Sequence, residues 1–252
     1  MTSEQRKKEI IKFVSKSEYR TLKEITDQFK ISINTARRDI NELAEQNLIQ
    51  KFYGGVKAIE KKQSSKYTAR MNKKSEEKWR IAKYAAGLIQ DNDILFIDAG
   101  TTTSGIIDFI DKSFHLTFVT NNIHVMSKVM EVENWDMIVV GSKLKHSSHS
   151  LVDVHDWDYL HTLNLNKSFI ATTGLTIHSG ATNPDHGDAV IKSTMIKQSQ
   201  ESYLLLDSTK FDQTSLSTFA QITDFKRIIT DENVPKPYKD YCKEYGITLD
   251  IV

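Results

Sequence analysis

The sequence predicts an α/β protein in two parts, a winged helix-turn-helix followed by a larger, mainly parallel α/β domain. Three short apolar stripes of helical spacing open the chain and lead into a β-prone hairpin. From residue 75 onward, apolar strands alternate with helical segments. Charge is divided in the same way: residues 1 to 80 hold 20 Lys and Arg against 11 Asp and Glu, and residues 81 to 252 hold 14 against 22. A basic end of +9 thus precedes a body of −8, the layout of a chain that meets a polyanion at one end.

Composition narrows the function further. At 252 residues and 39% apolar content the chain can fill a small core and one of ordinary size, and no run approaches the roughly 18 to 20 apolar residues of a membrane span. The opening MTSEQRKKEI lacks the apolar stretch of a signal peptide, and a single Cys rules out an intramolecular disulfide framework. A cytoplasmic protein without membrane partner is expected.

In the first part, Ile10, Ile11 and Val14, then Leu22, Ile25 and Phe29, then Ile33, Ala36, Ile40 and Leu43 mark three helices. Thr21 and Ser32 stand at the N-cap positions of the second and third, where a hydroxyl satisfies free amides. Only the turn around Lys30 and Ile31 separates those two helices, the spacing of a helix-turn-helix. The third helix leaves Asn34, Thr35, Arg37, Arg38 and Asn41 on or near its outer face, and these residue types read guanine, adenine, thymine methyl groups and phosphates. Asp39 is read as orienting a neighbouring Arg. After the helix, two β-prone runs around Gly54 and Gly55 predict a wing that brings Lys51 and Lys57 to the DNA backbone. The competing reading is a helical cap with a solvated basic face. Thr21, Ser32, Asn34, Thr35, Arg37, Arg38, Asn41, Lys51 and Lys57 are the candidate DNA-binding residues, and double-stranded DNA the expected partner.

The stretch ISINTARRDINELAEQNLIQKFYGGVKAI, with its Arg37-Arg38-Asp39 triplet and Gly54-Gly55 wing, resembles the N-terminal signature of the DeoR family of bacterial transcription regulators. The domain boundaries expected are 1–57 for the DNA-binding domain, 58–74 for a polar, basic linker without helical periodicity, and 75–252 for an effector-binding and oligomerisation domain.

In the third part a helix from about Ser75 to Ile89 precedes the strands ILFID, LTFVT, MIVVG, SFIATT, SYLLLD, RIITD and TLDIV. Helices are expected over TSGIIDFI, from Asn122 to Met130 and from Asp188 to Gln200. Alternation of this kind gives a parallel sheet covered on both faces, and ligands of such sheets sit beyond the carboxyl ends of the strands. The candidate effector-binding residues follow strands: Asp98, Gly100, Thr101, Thr102 and Thr103, then Thr120 and Asn121, Gly141, Thr173 and Gly174, and Lys210. Gly100 would let a ligand approach the backbone, while the amides and hydroxyls of the three threonines would hold an anion at a helix N-terminus. An ordinary Thr-rich helix cap is the alternative, with Lys210 then pairing only Asp207 or Asp98.

These strand ends are similar to the effector domain of the same family, in Asp98-Ala99-Gly100-Thr101-Thr102, Thr120-Asn121, Thr173-Gly174, DSTKF from Asp207 to Phe211, and Thr230-Asp231. The sequence departs at Ser142, where a second Gly is usual, at Asp188, where the family has Glu, and in the His-rich KHSSHSLVDVHDWDYLH. The resemblance implies a repressor of sugar-metabolism genes controlled by a phosphorylated sugar, with an effector domain like ribose-5-phosphate isomerase. A homo-oligomer is expected because DNA readers of this kind bind repeated half-sites.

The fold likeness raises the alternative of a sugar-phosphate isomerase with a nucleic-acid-binding appendage. Such an enzyme needs a carboxylate base over the reacting carbon, whereas the strand end here carries Thr172 and Thr173, with Asp185 and Asp188 farther on. His146, His149, His155 and His161 have no defined metal-ligand spacing, and Cys242 reads as a small residue of the last helix. No catalytic residue, metal or cofactor is expected.

Overall fold

A computed structural model describes residues 3–14, 17, 19–45, 49–52, 54–58 and 66–252. The chain forms two compact units that divide between Ser64 and Ser65.

The first unit holds α1 (Ser3–Val14), α2 (Leu22–Phe29), α3 (Ile33–Glu45) and an antiparallel hairpin of β1 (Ile49–Phe52) and β2 (Gly55–Ala58). Its core is Ile10 and Val14 of α1, Ile25 of α2, Ala36, Ile40 and Leu43 of α3, and Ile49 and Val56 of the hairpin. Ile33, expected in the apolar stripe, is instead 51% exposed, because it opens α3 one turn before the helix meets the core. Thr21 closes a capping box with Glu24: the Glu24 amide donates to the Thr21 hydroxyl at 3.2 Å and the Thr21 amide donates to the Glu24 carboxylate at 2.7 Å. Ser32 caps α3 by accepting the Thr35 amide at 3.2 Å. Between them the chain reverses at Lys30, whose φ of 51° is left-handed. The two wing glycines serve different ends. Gly54 takes the turn at φ 98°, whereas a Cβ on Gly55 would lie 2.5 Å from the Arg20 carbonyl, whose strand-like bridge to Val56 closes the hairpin onto the helices.

Asp39 is fully buried on α3 and accepts two bonds from the Arg6 guanidinium of α1, at 2.6 and 3.1 Å. Its partner is therefore on another helix rather than beside it in sequence, and the pair fixes α1 across the back of α3. A carboxylate in an apolar core persists only when so paired.

The second unit begins with α4 (Lys66–Asn72) and α5 (Ser75–Ala86), then β3 (Ile94–Ile97), a 3-10 segment from Thr103 to Phe109, β4 (Leu116–Thr120), α6 (Ile123–Val129) and β5 (Trp135–Val139). There follow the hairpin β6 (Lys143–Lys145) and β7 (Ser150–Val152), α7 (Trp157–His161), β8 (Leu165–Ala171), β9 (Gly174–Thr176), β10 (Gly180–Asn183) and α8 (His186–Lys197). The chain ends with β11 (Ser199–Leu205), β12 (Ser217–Ala220), β13 (Arg227–Thr230), α9 (Lys236–Glu244) and β14 (Thr248–Ile251). Seven strands make one parallel sheet in the order β14-β13-β11-β8-β3-β4-β5. Successive strand residues alternate between two cores: Phe96, Ile170, Leu204 and Ile228 face one, and Leu95, Ile97, Phe169, Leu205 and Ile229 face the other. The first core is covered by α8 and α9, the second by α5, α6 and the 3-10 segment.

Three features differ from expectation. The segment after Thr102 is a seven-residue 3-10 turn rather than an α-helix, so an aligned helix dipole adds little there. A three-stranded antiparallel sheet, β12-β10-β9, and the β6–β7 hairpin decorate the carboxyl edge; both are built of short segments mixed with Gly, Thr and His that carry no apolar run. The expected linker 58–74 is only partly a connection. Residues 59 to 65 lie outside the described ones, but Lys66–Asn72 is helical and belongs with the second unit, because Tyr67 is buried there. Among the described residues no helix is long and apolar enough to cross a membrane.

Removing the carboxylate in Asp39→Ala strands the Arg6 guanidinium at the core edge and should lower the stability of the first unit by about 3 kcal/mol. Calorimetry of the full chain should show one transition lowered and that of the second unit unmoved. A change within about 0.5 kcal/mol, the scale of ordinary surface substitutions, would show that the pair adds no stability.

Candidate functional site

In the first unit, Asn34, Arg37, Arg38 and Asn41 are exposed on α3, with Thr35 half-buried beside them. Arg37, Asn41, Lys51 and Gly54 line one groove between α3 and the hairpin, and the Lys51 ammonium donates to the Asn41 carbonyl at 2.8 Å. Lys57 is exposed on β2. Thr21 and Ser32 sit at helix starts with their hydroxyls engaged in capping, so they place the helices.

The sheet order sets the place of a site in the second unit. From β3 the chain first builds outward through β4 and β5, then returns to lay β8 on the other side of β3. The loops leaving β3 and β8 thus diverge, and ligands of open α/β sheets bind at such a crevice. A cavity of about 460 Å³ opens there, lined by Ala99–Thr102 after β3, Ala171–Thr173 after β8, and Lys210 after β11. That volume suits a small metabolite.

One buried ion pair holds the two loops. Asp98, fully buried, accepts the Gly100 amide at 3.0 Å, the Ala171 amide at 3.0 Å, the Thr103 hydroxyl and the Lys192 ammonium. Lys192 reaches it from α8 and also donates to the Ala171 carbonyl at 2.8 Å. Asp98 and Thr103 therefore shape the cavity from beneath and do not face it. The reason for glycine at position 100 changes accordingly: a Cβ there would collide with the Ala171 side chain, so the residue serves loop-to-loop packing.

Several other expected residues also lie behind the wall. Thr120 is buried and donates to the Ile97 carbonyl at 2.7 Å, tying β4 to β3. Asn121 is buried and donates to the Leu151 carbonyl and to Asp188, at 3.2 and 3.3 Å. Gly141, at φ 94°, packs against Leu151 at the start of the hairpin, and Gly174 packs against the Gln213 backbone. Of the expected set the structure brings Gly100, Thr101, Thr102, Thr173 and Lys210 to the cavity surface.

Sequence reasoning missed most of the cavity's charge. Arg70 and Lys73 come from α4 and the turn after it, Lys78 from α5, Lys145 from the β6–β7 hairpin and Lys192 from α8, with Asn183, Asp185 and Asp188 beside them. Lys145 pairs with Asp185 and Lys192 with Asp98. No carboxylate pairs with Arg70, Lys73, Lys78 or Lys210 among the described residues, so Lys210 makes neither of the ion pairs that would have explained it structurally. Lys78 is pushed down to about 8 by burial, then by the Lys210, Arg70 and Lys73 charges, against the pull of Asp207. Burial alone would raise Asp185; the Lys145 ammonium and the Asp188 amide outweigh it and hold the carboxyl below its usual range. Asp188 accepts from Asn183 at 2.7 Å and lies 3.9 Å from Lys192. The available signal was the Asp188–Lys192 spacing of four, which puts both on one face of α8. The cavity therefore has an unpaired cationic end and an end where a carboxylate and amides can take hydroxyl groups.

Of the remaining candidates, Cys242 is buried in α9, its thiol pushed up by burial, and His149 stacks on Tyr67 with ring centres 4.6 Å apart.

A model of the DeoR-like helix-turn-helix domain matches residues 6–62, and one of the DeoR C terminal sensor domain matches residues 73–232. The chain is 36% identical to the HTH-type transcriptional regulator IolR of Bacillus subtilis over 92% of each protein. It is 29% identical to the HTH-type transcriptional repressor GlcR of the same organism over 99% of this chain and 96% of that one. With the glycerol-3-phosphate regulon repressor of Escherichia coli the identity is 28% over the whole of both. Among solved structures, ribose 5-phosphate isomerase A of Methanocaldococcus jannaschii superposes on 54% of each chain with a TM-score of 0.40 and 12% identity, a partial likeness of backbone. Two matched domains in the same order, and relatives matched along nearly their full length, place this chain in the DeoR family of transcriptional regulators.

Proposed function

We propose that the protein is a repressor that binds operator DNA as a homo-oligomer through its first unit and is controlled by a phosphorylated sugar in the cavity of its second. The carrying observation is the cluster of Arg70, Lys73, Lys78 and Lys210, unpaired by carboxylates and facing the same space as Gly100–Thr102. In a body of net negative charge, four cations that no carboxylate neutralises make a local positive site that attracts an anion. A phosphate of charge near −2 takes this end, with Lys210 and the Thr101 and Thr102 hydroxyls as donors. Sugar hydroxyls take the other, at Asn183 and Asp188. One relative is named for the regulon of glycerol 3-phosphate, a phosphorylated polyol. Sensing rather than turnover is supported by Asp185 and Asp188, each already held by a cation or amide donors rather than free to take a proton from carbon.

A thermal-shift screen of the full chain with sugar phosphates tests the effector, since a ligand at 100 times its dissociation constant adds about 2.7 kcal/mol. Lys210→Met and Thr101→Val should each keep affinity for a duplex selected from random DNA yet lose the response to the sugar phosphate that shifts the wild type. A wild-type response in both variants would remove the anion site.

On the DNA side, Arg37→Ala and Arg38→Ala should each weaken binding of the selected duplex by about 1–3 kcal/mol where the side chain reads guanine; at a phosphate contact the loss is uniform across sequences and the salt slope flattens. Titrations across salt concentration separate the two. Unchanged affinity in both would take α3 out of the reading role.

Lys78 carries a stability cost. Its pKa of about 8 in the folded chain lies below the 10.5 of the unfolded one, so the buried charge opposes folding fully below pH 8, and the penalty fades as pH rises toward 10.5. Lys78→Met should therefore stabilise the second unit at pH 7, on the order of 1–3 kcal/mol, while weakening phosphate binding. Melting temperatures at pH 7 and pH 10 check the sign: the gain should shrink at the higher pH, and a destabilised variant at pH 7 would refute it.

A further inference from the structure

Half of the cavity's unpaired cations stand on or just after α4, the element by which the chain enters the second unit. A helix of seven residues has no stability of its own in water and forms only where something holds it. Tyr67 and Lys78 hold α4 to the unit. Tyr67 is buried, donates to the Ser104 hydroxyl at 3.2 Å and stacks on His149. The Lys78 ammonium donates to the Arg70 carbonyl, a cation on the last turn of the helix. The electrostatics run the other way: Arg70 and Lys73 face the same cavity as Lys78 and Lys210, and like charges there push α4 off the body. Burial does most to lower the pKa of Lys78, and the Lys210, Arg70 and Lys73 charges add to it. An anion among the four side chains turns the repulsion into attraction toward a shared counter-charge.

We propose that α4 is the responsive half of the effector site: Arg70 and Lys73 grip the effector's phosphate jointly with Lys210, so occupancy decides how firmly α4 is fastened to the second unit. The inference rests on the anion site proposed above and adds its regulation. In sequence, residues 59 to 65 join α4 to the wing strand β2, so α4 is the part of the second unit that directly follows the connection to the DNA-reading unit. Coupling of this kind is reciprocal: DNA that favours one state of α4 changes the phosphate affinity by the same factor.

Hydrogen exchange of the full chain, with and without inorganic phosphate or ribose 5-phosphate at matched ionic strength, tests this. In the wild type either probe should slow exchange of the amides of residues 67–72 by about five-fold or more, alongside the loop 100–104. In the double variant Arg70→Met, Lys73→Met, with the probe titrated until loop protection saturates, the loop should respond only at higher probe concentration and the helix should not respond at all. Both residues are outside the buried core, so the variant is expected to fold, and its unliganded exchange over β3, β8 and β11 verifies that. Protection of the loop with no change in α4 of the wild type would overturn the inference and leave the anion site standing. Protection of neither would overturn both. Equal protection of α4 in the wild type and the double variant would show that the helix responds without these two cations, and would also overturn it.

Discussion

The buried pair of Asp98 and Lys192 is the interaction on which the second unit's site depends. It joins the end of β3, the end of β8 and the middle of α8, and so holds the two diverging loops of the switch point to one helix. An ion pair this deep recovers its desolvation cost only with further hydrogen bonds, and Asp98 has them from two amides and a hydroxyl. The same bonds set the conformation of the loop Gly100–Thr102 and leave its outer face to the cavity. Lys192 is neutralised within the wall, whereas among the described residues no carboxylate pairs with Arg70, Lys73, Lys78 or Lys210 on the cavity surface.

The two units place charge on opposite principles. In the first, a carboxylate is hidden to secure a scaffold, and the cations stay on the surface of α3 and the hairpin. In the second, whose net charge is negative, cations without carboxylate partners gather in one cavity. Steering follows from each: a basic surface attracts DNA from a distance, and an acidic body keeps the rest of the molecule off it. The same acidic body weakens non-specific anion binding everywhere except at the pocket, where the surplus of cations is local.

Much of the fold was legible because it rests on periodicity. Parallel strands buried on both faces read as continuous apolar runs, and each of the seven was visible as such; helices with one buried stripe were visible too, apart from Ile33, whose place at the first turn no spacing rule detects. What was illegible is made of contacts between segments distant in sequence. Asp98 looks the same whether it faces a ligand or Lys192, 94 residues away. Gly100, Gly141 and Gly174 announce a close approach without saying to what, and in each case it is another part of the chain. Arg70 and Lys73 were hidden in a polar stretch that composition alone assigns to a connector; only the burial of Tyr67 distinguishes it, and a lone tyrosine among lysines carries no period.

The bond between Lys51 and Asn41 has a consequence for how the first unit reads a sequence. The Asn41 side-chain amide offers an oxygen with two lone pairs and two N–H donors, and the Lys51 ammonium of the wing occupies one of those lone pairs. An adenine edge needs an acceptor and a donor together, and the second lone pair and the amide N–H groups would supply them with the lysine still in place. With its oxygen held by the wing, the amide has its plane fixed before any base arrives, so α3 and the hairpin would present one preorganised edge.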